Sequence, residues 1–258
     1  MLKKLLLFFT LVFTTLTFSN DKVIKVAAAG YPMNEIVKIA AEDLKKQGYD
    51  VQITLLTDYV TANVGLNAKD FDANFHQHEP FMQVFNQRNN GTLVKVQPIY
   101  DVHIGFYSKK IKNKKDIPDG ARIAIPSDPT NQDRALRILE KEGLIKLGKN
   151  TGLNSINYIV ENKKGLKITP VGIPSLVQAY QEFDLAFNWP SHMLKIGVHV
   201  KDALFLEKDS KGRFAVMLAA REDNKNSKKI KDLAKAMTSK KVKDFLLKNY
   251  KDEGYPMF

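Results

Sequence analysis

Val23-Ile24-Lys25-Val26-Ala27-Ala28-Ala29 is an apolar run of the length of one buried strand. Gly30-Tyr31-Pro32 turns the chain, Ile36, Val37, Ala40 and Leu44 recur at helical spacing, and Gly48 ends that helix. Val51–Leu56 is a second strand. Two strands joined by a helix run parallel and side by side, so the opening is a βαβ unit. An α/β architecture follows, because every parallel return needs its own helix to cover the sheet.

The pattern resumes further along. Phe71–Phe75 is a strand, a helix around Phe81–Gln87 ends before Asn89-Asn90-Gly91, and Leu93–Tyr107 is a long extended run broken by Pro98. A second α/β series starts with the Ala121–Ile125 strand and a helix burying Ala135, Ile138 and Leu139, in which Thr130 and Asp133 have the spacing of a capping pair. Short strands at Ile156–Val160 and Leu166–Thr169, a helix from Pro174, the strand Phe183–Phe187 and a last strand Phe214–Ala220 follow. Two consecutive α/β halves joined by two extended crossings predict two lobes: residues 20–102 with 205–258, and residues 103–204. A ligand cleft then lies between the lobes, where the carboxyl ends of their strands face each other.

The N-terminus is a separate matter. Met1-Leu2-Lys3-Lys4, an apolar run from Leu5 to Phe18 and small residues near Ser19 read as a secretory signal peptide over residues 1–19, too short for a comfortable membrane span. The formal charge is +12, much of it on lysines after Asp223 interleaved with Ile230, Leu233, Met237, Val242 and Leu246. That spacing describes two packed amphipathic helices with solvated basic faces, and nucleic acid is not an expected partner of a secreted chain. Cysteine is absent, which removes thiol chemistry, cysteine zinc sites and a cysteine-linked lipid anchor, so the expectation is a soluble, monomeric periplasmic protein.

One stretch carries unusual chemistry. Asn74, His76, His78, Glu79 and Phe81 crowd into the strand end and turn of Phe71–Met82. Tyr59, Arg134, Asn188 and Trp189 also lie at or just after strand ends. The plain alternatives are a polar turn with one core histidine, an arginine paired with Asp133 or Glu140, an asparagine cap and a buried tryptophan anchor. Arg134 falls in the first turn of its helix, where the helix dipole disfavours a cation but an anion gains N–H groups and a guanidinium together. His76 and His78 with Glu79 invite a metal reading, but the Pro80 turn interrupts strand geometry and no further ligand is in sequence reach. No Gly-x-Ser-x-Gly elbow, phosphate loop or close carboxylate pair is present, so no catalytic residue, metal or cofactor is assigned.

Three blocks together carry a resemblance: Asp58-Tyr59-Val60, Phe71–Phe81, and Ala124–Leu136 with its Pro126-Ser127-Asp128-Pro129-Thr130-Asn131 core. The sequence resembles the periplasmic substrate-binding proteins of methionine-type ABC importers, the NlpA or methionine-binding lipoproteins. The resemblance implies a two-lobed periplasmic-binding-protein fold of type II that closes on one small amino-acid-like ligand and delivers it to an inner-membrane ABC permease, with no chemistry on the ligand. It places Tyr59, His78 and Phe81 on the first-lobe wall, with His76 in the part of that wall that receives the apolar side chain, Arg134 on the ligand carboxylate and Asn188 on its polar end. The family has an aromatic residue where His76 stands, and an asparagine where Val216 stands. Outside the importer reading, a surface-interacting, adhesin-like protein reusing the fold and a divalent-metal-binding importer component remain open.

Overall fold

The computed structural model describes residues 22–56, 58–207 and 211–258. The expected signal segment, residues 1–19, lies outside them. In chain order the first part forms β1 (Val23–Ala28), α1 (Met33–Lys45), β2 (Asp50–Leu55), α2 (Tyr59–Asn67), β3 (Ala73–Gln77), α3 (Glu79–Asn89) and β4 (Leu93–Val102). The middle forms β5 (Gly105–Tyr107), β6 (Arg122–Pro126), α4 (Pro129–Lys141), β7 (Lys146–Leu147), β8 (Ile159–Glu161), β9 (Lys167–Val171), α5 (Leu176–Glu182), β10 (Leu185–Asn188), α6 (Pro190–Leu194) and β11 (Ala203–Leu206). The chain ends with β12 (Val216–Arg221), α7 (Lys228–Met237), α8 (Lys240–Asn249) and β13 (Gly254–Pro256).

Two main sheets organise these elements, one per lobe. The first has the order β13-β4-β12-β3-β1-β2, and the second β11-β5-β10-β6-β9. The opening βαβ unit is as expected: β1 and β2 pair in parallel from Val23 with Asp50 to Ala28 with Leu55. Between them α1 buries Ile36, Val37, Ala40 and Leu44, and Gly48 takes a φ of +81°, a conformation open to glycine at little cost. The C-terminal chain returns to the first lobe, where β12 inserts between β3 and β4 and pairs antiparallel with both. Helices α7 and α8 pack on α1 through Ile230, Leu233, Val242 and Leu246. Their lysines face outward, and several pair with carboxylates, as in Lys241 with Asp43 and Lys229 with Asp72.

Three local expectations are corrected. Ile156–Tyr158 is a single 3-10 turn, and only Ile159–Glu161 is strand. The cap of α4 is Asp128, whose side chain accepts from the Asn131 N–H at 3.0 Å, so the helix begins earlier than the Thr130–Asp133 spacing suggests. The extended crossing before Phe214 pairs as a strand, β11, which the sequence pattern did not indicate.

The two lobes meet at a pair of crossings that lie side by side. β5 and β11 are antiparallel, with Gly105 opposite Leu206, and the Glu207 N–H donates to the Ile104 carbonyl at 2.8 Å. A Cβ on Gly105 would sit 2.7 Å from the Phe205 carbonyl oxygen, so the close approach of the two crossings requires a glycine there.

Candidate functional site

A cavity of about 50 Å³ lies between the lobes. Met33, Tyr59, His76, Gln77, His78, Phe81, Tyr100 and Val102 line it from the first lobe. Asn131, Arg134, Ile173, Trp189, Ser191 and His192 face them from the second, and the returning chain adds Phe214, Val216 and Tyr250. A wider opening bordered by Tyr31, Asp58, Asp128 and Lys195 shares Met33, Tyr59, Phe81 and His192 with the inner cavity.

The first-lobe wall is built on a buried amide cluster. Gln77 Nε2 and Asn74 Nδ2 both donate to Asn63 Oδ1, at 2.6 and 2.8 Å, while Asn63 Nδ2 donates to Gln77 Oε1 at 2.8 Å. His76 Nε2 stands 3.3 Å from the same Asn63 oxygen. An amide oxygen only accepts, so that bond places the proton on Nε2. The His76 ring stacks on Tyr59, with centroids 5.5 Å apart and planes 8° off parallel, and meets the edge of Phe81. Burial pushes its pKa down to about 3, so the imidazole is neutral.

His78 does two jobs from the start of α3. Its Nδ1 accepts from the Phe81 N–H at 3.2 Å and caps the helix. The proton is therefore on Nε2, which lies 3.1 Å from Asn131 Oδ1 on the second lobe. Asn131 is oriented by its own amide group, which donates to both Asp128 carboxylate oxygens at 3.1 Å. Burial, and then the nearby Arg134 charge, hold His78 at about 3, again neutral.

Arg134 is 1% exposed. α4 starts at Pro129, so this arginine sits in the second turn rather than the first. Its Nε lies 3.0 Å from each carboxylate oxygen of Glu207, and Nη2 also donates to Glu207 Oε2. The guanidinium carbon stands 4.2 Å over the Phe214 ring, whose edge meets His78 at 5.1 Å. Nη1 is buried without a hydrogen-bond partner. A buried donor left unpaired is costly, and a lining residue with such a donor is ready for an anionic oxygen.

Tyr59, His76, His78, Phe81 and Arg134 thus converge on one cavity. Asn74 does not line it: its amide is spent on Asn63, on the Ala62 carbonyl at 3.3 Å and on Gln77. Asn188 does not line it either; its Nδ2 donates to the Leu176 carbonyl at 2.9 Å, and its Oδ1 is buried without a partner. The metal reading finds no donor set. Both nitrogens of His78 are engaged, Glu79 pairs with Lys95, and among the described residues no three side chains of metal-binding type cluster. Sequence reasoning missed Asn63, Asn131, Phe214 and Glu207.

The family model for NlpA lipoprotein matches residues 24–258. The chain belongs to the NlpA lipoprotein family. The D-methionine-binding lipoprotein MetQ of Escherichia coli K12 is 34% identical to it over 228 residues, covering 87% of this chain and 83% of that protein. A nutrient-binding protein from Burkholderia cenocepacia, solved bound to methionine, superimposes with a TM-score of 0.86 at 32% identity, over 91% of this chain and all of that one. A periplasmic substrate-binding protein of an ABC transporter from Coxiella burnetii gives 0.84 at 31% identity, over 90% and 99%. The NlpA chain described here therefore has the two-lobed substrate-binding fold, with the cleft where the sequence pattern put it. Among its described residues no helix is long and apolar enough to cross a membrane.

Proposed function

We propose that this NlpA-family protein captures one small amino acid, methionine or a close relative of it, between its lobes in the periplasm. It then delivers that cargo as a monomer to an ABC importer, with no chemistry on the ligand. The observation that carries this reading is Arg134 Nη1, a buried guanidinium nitrogen without a partner on a residue that lines the cavity between the lobes. A carboxylate oxygen is the ligand group that would complete it. From the first lobe, Tyr59, Phe81 and Tyr100 supply rings against which an apolar or thioether side chain packs well. The relatives whose names carry methionine binding support the ligand class.

Isothermal titration of the protein against the twenty L-amino acids and D-methionine tests the proposal. Binding of one or a few of them with micromolar or tighter affinity is the expected result. No binding at millimolar concentration, from protein first unfolded and refolded to strip bound cargo, would sink the reading.

A further inference from the structure

Arg134 already has an anion on it. Glu207, the residue just past β11, takes the Nε and Nη2 edge of the guanidinium, the edge on which a carboxylate binds side-on. The Glu207 carboxylate is held in place from two directions. Its backbone N–H is bonded to Ile104 on the other crossing, and its side chain is only 11% exposed. Phe214 closes the flat face of the guanidinium at 4.2 Å. What remains for the cavity is Nη1 alone.

The charge balance matters as much as the geometry. Among the described residues lining the inner cavity, Arg134 is the one charged side chain, and Glu207 cancels it from behind, while Asp58, Asp128 and Lys195 border the wider opening outside it. A ligand with a carboxylate and no cation would carry an uncompensated charge into a desolvated space. A ligand that brings its own ammonium would not. Nδ1 of His192, buried and without a partner on the same wall, is free to face such a group.

We infer that Glu207 is a positioning and specificity-determining residue: it turns Arg134 so that only Nη1 meets the ligand, and it neutralises the pair so that the site selects a zwitterion over an anion. The inference rests on the amino-acid reading above. A purely architectural Glu207 would support the crossings without affecting the ligand's charge.

Titration of wild type, Glu207→Gln and Glu207→Asp with L-methionine and with 4-(methylthio)butanoate, the same molecule without its ammonium group, separates these cases. Wild type should favour methionine by at least about 100-fold, and Glu207→Gln should narrow that ratio by about tenfold or more by weakening the zwitterion and tightening the anion. Glu207→Asp keeps the charge but shortens the reach, so it should weaken both probes by about tenfold and keep the ratio. An unchanged ratio in Glu207→Gln overturns the inference, as does wild-type affinity in Glu207→Asp if the glutamine variant does not fold. Absence of methionine binding in the wild type, together with a blank amino-acid panel, would instead remove the underlying functional reading.

Discussion

His78 Nε2 and Asn131 Oδ1 stand 3.1 Å apart and belong to different lobes. The bond joins the N-cap of α3 to the first turn of α4, and each partner is held on its other side, His78 by the Phe81 N–H and Asn131 by Asp128. It is a latch across the mouth of the cavity whose donor and acceptor are both neutral. Such a bond contributes about 1 kcal/mol net. Asn131→Ala should therefore weaken ligand binding by about 1–2 kcal/mol, mostly through faster release, and stopped-flow dissociation would measure it. An unchanged off-rate would mean that the latch does not contribute to closure.

Arg134→Lys should cost far more. An ammonium cannot both satisfy Glu207 at three contacts and present a second donor to the cavity, and it loses the planar face that covers Phe214. Affinity for the cargo should fall by about 3 kcal/mol or more, read by titration calorimetry, in a protein whose circular dichroism is preserved.

Acid should destabilise the fold well before its carboxylates titrate. His76 and His78 are held at about 3 and His192 at about 4, all below the ordinary 6.5 and chiefly because burial disfavours the charged ring. Between those values the unfolded chain binds protons that the folded chain does not, so stability is complete above about pH 6.5 and falls as the pH drops below it. Each fully buried imidazole contributes up to about 1.4 kcal/mol per pH unit in that window. Urea unfolding at about pH 7 and about pH 5 should show the loss, and His76→Phe should flatten the slope by one histidine's share.

Asp133 offers a control that lies off the cavity wall. It is fully buried, accepts from the Asn154 N–H and amide at 2.8 and 2.7 Å, and pairs with Arg137 Nε at 2.9 Å. Asp133→Ala would leave those donors without their acceptor and should lower stability by about 3 kcal/mol. Amino-acid affinity in the folded fraction should change less than about threefold, within the range of independent sites.

Much of this molecule can be read directly from residue patterns. The βαβ opening follows from the spacing of Ile36, Val37, Ala40 and Leu44 between two apolar runs, and the sheet partner of each run follows from the crossover. Tyr59, His76, His78, Phe81 and Arg134 were recognisable because polar and aromatic groups at strand ends are poor core residues. Asn74 carries the same signal for a different reason. A buried amide that supports a wall looks, in sequence, like one that lines it, and only the Asn63–Gln77 bonds tell them apart. Glu207 escaped notice because β11 has only four residues, all apolar and without alternation. Without that strand, its terminal carboxylate had no strand end to mark it. Asn131 was within a recognised block, but its partner is fifty-three residues away in sequence and on the other lobe.

The position of β12 bears on how the chain is made. This strand sits in the interior of the first sheet, between β3 and β4, yet it is Val216–Arg221 that supplies it. Until that segment emerges from the ribosome, β3 and β4 have no shared neighbour, and the apolar faces that Met217 and Leu218 seal stay open. The first lobe, although it begins at residue 23, is among the last parts able to fold. The second lobe, whose sheet uses only residues 105–206, has all its strands before the first lobe receives the one that joins β3 to β4.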